Sequence, residues 1–189
     1  LGLMLMLAAD EPEIIRANTY SVRHFLQVAR TPLLLTVGSI GILLQFVNFG
    51  GSFGFVPISA ERLGATKAEV GYVTTAMFLA GAMATLVFTR VISRLGNRRT
   101  ILLGALAGAV GIGAVPSITD IWVLMGSQFV GGFGRGLLGT TLISLTLQAV
   151  PAEDRGTAMG IYQGIYAIGM VSGPTVCGYF AETVSLEAV

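Results

Sequence analysis

Thr89 to Leu102 reads TRVISRLGNRRTIL, and the reading of that stretch decides how the rest of the chain is folded. Arg90, Arg94, Arg98 and Arg99, with Gly96 among them, separate two long apolar runs. Short arginine-rich connections between apolar segments are retained on the cytoplasmic side of a bilayer. Residues 90–99 are therefore expected to form a cytoplasmic loop at which one helix arrives and the next departs.

The composition agrees with a bilayer setting. Of 189 residues, 53% are hydrophobic and 11% charged, more apolar surface than a water-soluble globule of this size can cover. No basic face exists apart from the loops, so a nucleic-acid partner is not expected. The single cysteine, Cys177, excludes an internal disulfide or a cysteine metal cluster and reads as a small packing residue in an apolar run. No cofactor is implied, and no phosphate-binding loop for ATP occurs. The opening LGLMLMLAAD has no basic leader, and the chain starts without Met. It is expected to be a piece of a longer protein.

Outward from the arginine stretch the pattern is all-α, a multi-pass bundle over residues 33–189. Spans of about 33–58, 70–90, 100–118, 121–148 and 156–181, here I to V, each match or approach the roughly 20 residues that cross a bilayer. Residues 1–9 are too short to cross and read as the end of a preceding helix. Residues 10–32 read as a cytoplasmic connector with a short interfacial helix near Tyr20 to Ala29. His24 is expected there as a solvated loop histidine. ERLGATKAE, from Glu61 to Glu69, is a loop on the far side, and 151–155 returns the chain to the cytoplasm. Arg16, Arg23, Arg30, Arg90, Arg94, Arg98, Arg99 and Arg155 then fall inside, Arg62 and Lys67 outside, and Arg135 within a span. That asymmetry is the positive-inside pattern of a cell membrane protein, in the plasma or inner membrane.

Three segments resemble the major facilitator superfamily of secondary transporters. Arg94, Gly96, Arg98 and Arg99 are similar to its loop signature between the second and third helices of each six-helix half, with Ser93 where an Asp stands and Thr89 where the first Gly stands. Span IV, QFVGGFGRG, is similar to the fourth-helix signature, with Gln128 at the position of its Arg. Gly160, Gly169, Gly173, Pro174, Cys177 and Gly178 resemble the glycine-proline signature of antiporters, Cys177 replacing one Gly. The resemblance implies the end of helix 6 to helix 11 of a twelve-helix transporter; helices 1 to 5 would give the same orientation, because the halves are parallel repeats. It implies alternating-access transport of a small molecule, with efflux of a drug, metabolite or organic anion, and protons, as candidates.

Polar residues inside spans mark cavities or helix contacts. Gly41, Gln45, Asn48 and Ser52 recur at helical spacing on span I, with Gln45 and Asn48 as substrate candidates or partners of a neighbouring helix. FGGSFGF is expected to bend or break that span as a gate. Arg135 is costly in the middle of span IV and, two turns from Gln128, is expected to face a cavity, a ligand or a carboxylate of the missing helices. On span V, Gln163 and Tyr166 are secondary cavity candidates, with Tyr162 nearby; Tyr72 and Thr75 on span II are weaker ones. The small residues of span V, Gly156, Gly160 and Gly164, then Gly169, Gly173 and Cys177, are read as close-packing surfaces, and Pro174 as a bend. An intramembrane enzyme is disfavoured, since the spans hold no carboxylate pair, metal cluster or activated nucleophile. A transport-inactive receptor or scaffold of the same fold remains the rival reading.

Overall fold

Residues 21–185 are described in a computed structural model, so the apolar stub 1–9 and the connector up to residue 20 lie outside the described residues. Where the chain leaves water it becomes helix, because only an internally hydrogen-bonded backbone survives in hydrocarbon. Among the described residues there is no strand. The elements are α1 (Val22–Ala29), α2 (Pro32–Phe46), a π-helical segment (Val47–Phe55), α3 (Val56–Arg62), α4 (Lys67–Gly113), α5 (Ile121–Gln148) and α6 (Arg155–Thr183). By length and apolar character, Pro32–Arg62 and Lys67–Ser117 can cross a bilayer.

The ends carry their own stop and start chemistry. Pro32 occupies the first turn of α2, where its missing N–H costs nothing. Thr66 and Glu69 open α4 with a reciprocal capping box: Thr66 Oγ1 accepts from the Glu69 N–H at 3.3 Å and Glu69 Oε2 accepts from the Thr66 N–H at 2.7 Å. Asp120 opens α5, its Oδ1 accepting from the N–H groups of Trp122 at 2.8 Å and Val123 at 3.2 Å.

Two expectations are corrected here. Residues 90–99, expected as a loop, are helical except at one residue. Helix runs through the arginines on both sides, and Gly96 alone is non-helical, at φ 73 and ψ 169. That conformation is open essentially to glycine only, so a single residue folds α4 into a hairpin. The glycine-rich FGGSFGF, expected to bend or break its helix, leaves it unbroken but wound as a π-segment between α2 and α3. A Cβ on Gly50 would lie 2.6 Å from Cys177 Sγ and 2.9 Å from the Gly173 carbonyl oxygen, so the missing side chain lets α6 press directly on this turn.

Glycine contacts also set the directions of the helices. Gly132 meets Met77 and Gly136 meets Gly81, so the first arm of α4 runs alongside α5 in the same sense. Gly111 meets Gly131 and Gly104 meets Gly134, so the second arm runs against it. Gly38 faces Ile165, Gly41 faces Tyr162, Gly169 faces Ile42 and Gly173 faces Phe46, which sets α2 parallel to α6. Leu34, Val37, Leu138, Leu142, Ala158, Ile161 and Tyr162 close one apolar cluster, and Val56, Ala60, Val73 and Leu124 close another. With lipid tails as apolar as leucine, such close backbone approach and its dispersion are what hold helices together. One end of the bundle thereby collects Arg23, Arg30, Arg90, Arg94, Arg98, Arg99 and Arg155, and the other Arg62 and Lys67.

Candidate functional site

Gly132, Arg135 and Gly136 of α5 form one wall of a cavity of about 280 Å³; Met77, Phe78, Gly81, Ala82 and Thr85 of α4 form a second, and Asn48 and Phe53 of the π-segment a third. The two α5 glycines let α4 approach so closely that Cβ atoms there would collide with the backbone of Met77 and Gly81. Beside this contact Arg135 is only 8% exposed. Its aliphatic stem runs past Gly108, and its guanidinium turns back over Gly131, where a Cβ would lie 2.9 Å from one terminal nitrogen. Both terminal nitrogens are buried without a hydrogen-bond partner among the described residues. An unpaired buried cation is among the most costly arrangements a protein can hold.

Around Arg135 the chemistry is mixed. Asn48 Nδ2 donates to Gln45 Oε1 at 2.8 Å, which orients the Asn48 amide at the cavity wall. Phe53 and Phe78 stack with centroids 5.6 Å apart and planes at 20°, and Phe49 meets Phe53 edge-on at 5.3 Å. The cavity therefore combines the Arg135 side chain, whose terminal nitrogens are themselves buried, with an amide and an aromatic wall. Thr85 Oγ1 lies 3.3 Å from Thr140 Oγ1, linking α4 to α5 at its rim.

Several candidate residues stand elsewhere. Gln128 is fully buried and donates from Nε2 to the Gly111 carbonyl oxygen at 2.8 Å; it ties α5 to α4 and does not line the cavity. Gln45 reaches the cavity only through Asn48. Gln163 is exposed on α6, and Tyr166 packs with Tyr162 against Gly41, ring centroids 5.1 Å apart. Ser52 is buried, with its hydroxyl unpartnered among the described residues. Tyr72 lies in a separate shallow groove with Glu69 and Trp122, and Thr75 is exposed. Phe53, Phe78 and Thr85 went unread in the sequence. Phe78, Gly81, Ala82 and Thr85 do recur at helical spacing, but so weakly polar a stripe is indistinguishable from packing.

The glycine-proline pattern of α6 divides. Gly169 and Gly173 meet the backbone of α2 at Ile42 and Phe46, whereas Gly156, Gly160, Gly164 and Gly178 have no neighbour within 4 Å. A Cβ at Gly160, Gly164 or Gly178 would thus meet nothing among the described residues, Gly178 being half-buried and Pro174 exposed. At the basic end, Arg94, Gly96, Arg98 and Arg99 are exposed, and Thr100 Oγ1 donates to the Gly96 carbonyl oxygen at 2.8 Å, fastening the turn. His24 is not a free loop histidine: its Nε2 lies 2.7 Å from Asp154 Oδ1. No group of three or more His, Cys, Asp or Glu suited to a metal occurs among the described residues.

Comparison with known proteins gives a consistent answer. The description "Major Facilitator Superfamily" matches residues 38–189. The vacuolar membrane amino acid uptake transporter fnx2 of Schizosaccharomyces pombe is 27% identical over 60% of this chain and 20% of its own length. An uncharacterized MFS-type transporter of Mycobacterium tuberculosis is 24% identical over 92% of this chain and 25% of its own length. The riboflavin transporter RibZ of Clostridioides difficile is 25% identical over 79% of this chain and 33% of its own length. The chain thus spans a third or less of each of these relatives, which are transporters rather than enzymes. With a match over most of its length, and with an all-helical bundle and apolar helices of crossing length, the chain belongs to the Major Facilitator Superfamily and is a membrane-embedded protein.

Proposed function

We propose that this chain supplies helices of a secondary transporter that moves a small molecule across a cell membrane by alternating access, and that the Arg135 cavity holds part of the substrate. The observation that carries this reading is the buried guanidinium of Arg135, both of whose terminal nitrogens lack a partner among the described residues, at a cavity shared by the π-segment, α4 and α5. A planar fork of donors suits a carboxylate or phosphate, so an organic anion is the substrate class. The basic end of the bundle faces the cytoplasm. The spans carry no acidic residue. Proton coupling, and with it efflux, therefore depends on acidic groups from the remaining helices of the same transporter.

The test is counterflow of labelled organic anions by the full-length transporter in liposomes. Arg135→Lys and Arg135→Ala are expected to lower exchange at least tenfold, about 1.4 kcal/mol or more, at unchanged protein abundance. Wild-type exchange in Arg135→Ala would refute the site. Binding without counterflow in the unsubstituted protein would instead identify a receptor or scaffold.

A further inference from the structure

α1 presents three different faces. Val28 is 5% exposed and enters the apolar cluster with Leu34, Val37 and Ala158, and His24, one turn earlier on the same side, reaches Asp154. On another side Val22, Phe25 and Leu26 are 76%, 46% and 47% exposed, at the i, i+3, i+4 spacing of an amphipathic stripe, while Ala29 packs against the core cluster. Arg23, Gln27 and Arg30 fill the flank between, all exposed. The helix carries no acid.

Its position names what meets that stripe. Only Thr31 separates Arg30 from α2 at Pro32, so α1 lies at the level where a spanning helix leaves the bilayer, and the next exposed apolar residues are Leu33 and Leu35. An apolar stripe flanked by arginines at that level fits the boundary between acyl chains and headgroups. Arginine stems reach from such a position to lipid phosphates.

We propose that α1 is a strap seated on anionic lipid headgroups, which through His24 and Asp154 holds the start of α6 in place. Val22, Phe25 and Leu26 enter the acyl boundary, and Arg23 and Arg30 bind lipid phosphates. Asp154 is 8% exposed and makes no side-chain cap at α6; its carboxylate faces His24 instead. The lipid seat of α1 is thereby joined to the element whose glycines Gly169 and Gly173 pack on α2. This surface is separate from the Arg135 cavity and does not depend on it.

Spin labels placed singly at residues 22, 23, 25, 26 and 27 of the full-length transporter, in neutral phosphatidylcholine vesicles with and without phosphatidylglycerol, test the seat. Labels at 22, 25 and 26 should collide with oxygen severalfold more than with an aqueous nickel complex, and those at 23 and 27 the reverse. Phosphatidylglycerol should deepen the contrast, and Arg23→Gln with Arg30→Gln should remove that dependence. Water-exposed labels at 22, 25 and 26, labels shielded from both probes by protein, or a contrast indifferent to phosphatidylglycerol would each overturn it. For the tether, Asp154→Ala and, separately, His24→Ala should mobilise a label at Thr157; unchanged mobility in both overturns that part.

Discussion

Gly169→Ala tests how α2 and α6 hold together, and its magnitude follows from the contact. A Cβ at Gly169 would lie 2.9 Å from the Ile42 carbonyl carbon and the Phe46 nitrogen, and closer still to the Ile42 oxygen. These are backbone atoms of another helix and cannot rotate aside. Restoring ordinary contact moves α6 off α2 by half an ångström or more, and a gap of about 0.5–1 Å forfeits a quarter to a half of each dispersion well. In a bilayer no hydrophobic gain offsets that loss. Overpacking of this kind costs about 1–3 kcal/mol, against up to about 1 kcal/mol regained in helix propensity. The expected outcome is destabilisation by about 1–2 kcal/mol. Gly160→Ala is the control: a Cβ there would meet nothing within 4 Å among the described residues, so if the remaining helices also leave it open it should stabilise by up to about 1 kcal/mol. Reversible unfolding of the full-length protein in mixed lipid–SDS micelles measures both. If the two variants agree to within about 0.5 kcal/mol, the α2–α6 contact described here is wrong.

Other substitutions probe the remaining joints by the same unfolding measurement. Gly96→Ala forces an L side chain to φ 73 and ψ 169 and should cost about 1–3 kcal/mol; no loss would mean the hairpin turns elsewhere. Thr66→Ala removes one half of the capping box of α4 and is expected to cost about 0.5–2 kcal/mol, while Thr66→Ser should retain most of the cap. Gln128→Leu gives up one interhelical hydrogen bond, averaging about 0.6 kcal/mol in membrane helices, but removes a buried oxygen that has no partner among the described residues and costs about 1–3 kcal/mol. It should be neutral or slightly stabilising, and a loss above about 2 kcal/mol would show that this oxygen is bonded within the full transporter.

The candidate site was partly legible. Arg135 announces itself, since a charge amid apolar residues has a large cost wherever it points. Helical spacing singles out Asn48 with Gln45 and Ser52, and of the three the structure puts Asn48 at the cavity while Ser52 is buried. Gln128 and Gln163 look alike in sequence, yet one bridges two helices and the other is exposed among the described residues. His24 looked solvated because its surroundings in sequence are polar. Asp154 lies 130 residues away, and no local pattern reports so distant a partner.

What the sequence determined by itself was the class of environment and the family. Apolar run lengths, the uneven arginines and three ordered motifs depend on local composition, and local composition decides whether a segment partitions into lipid as helix. What only the tertiary structure decided was which of the repeated glycines are contacts and which are open, that Gly96 alone makes the turn, and that Arg135 meets Asn48, Phe53 and Phe78 at one cavity. Those outcomes depend on how closely two backbones approach, and that distance is set by the opposing helix, which the residues of one helix do not encode.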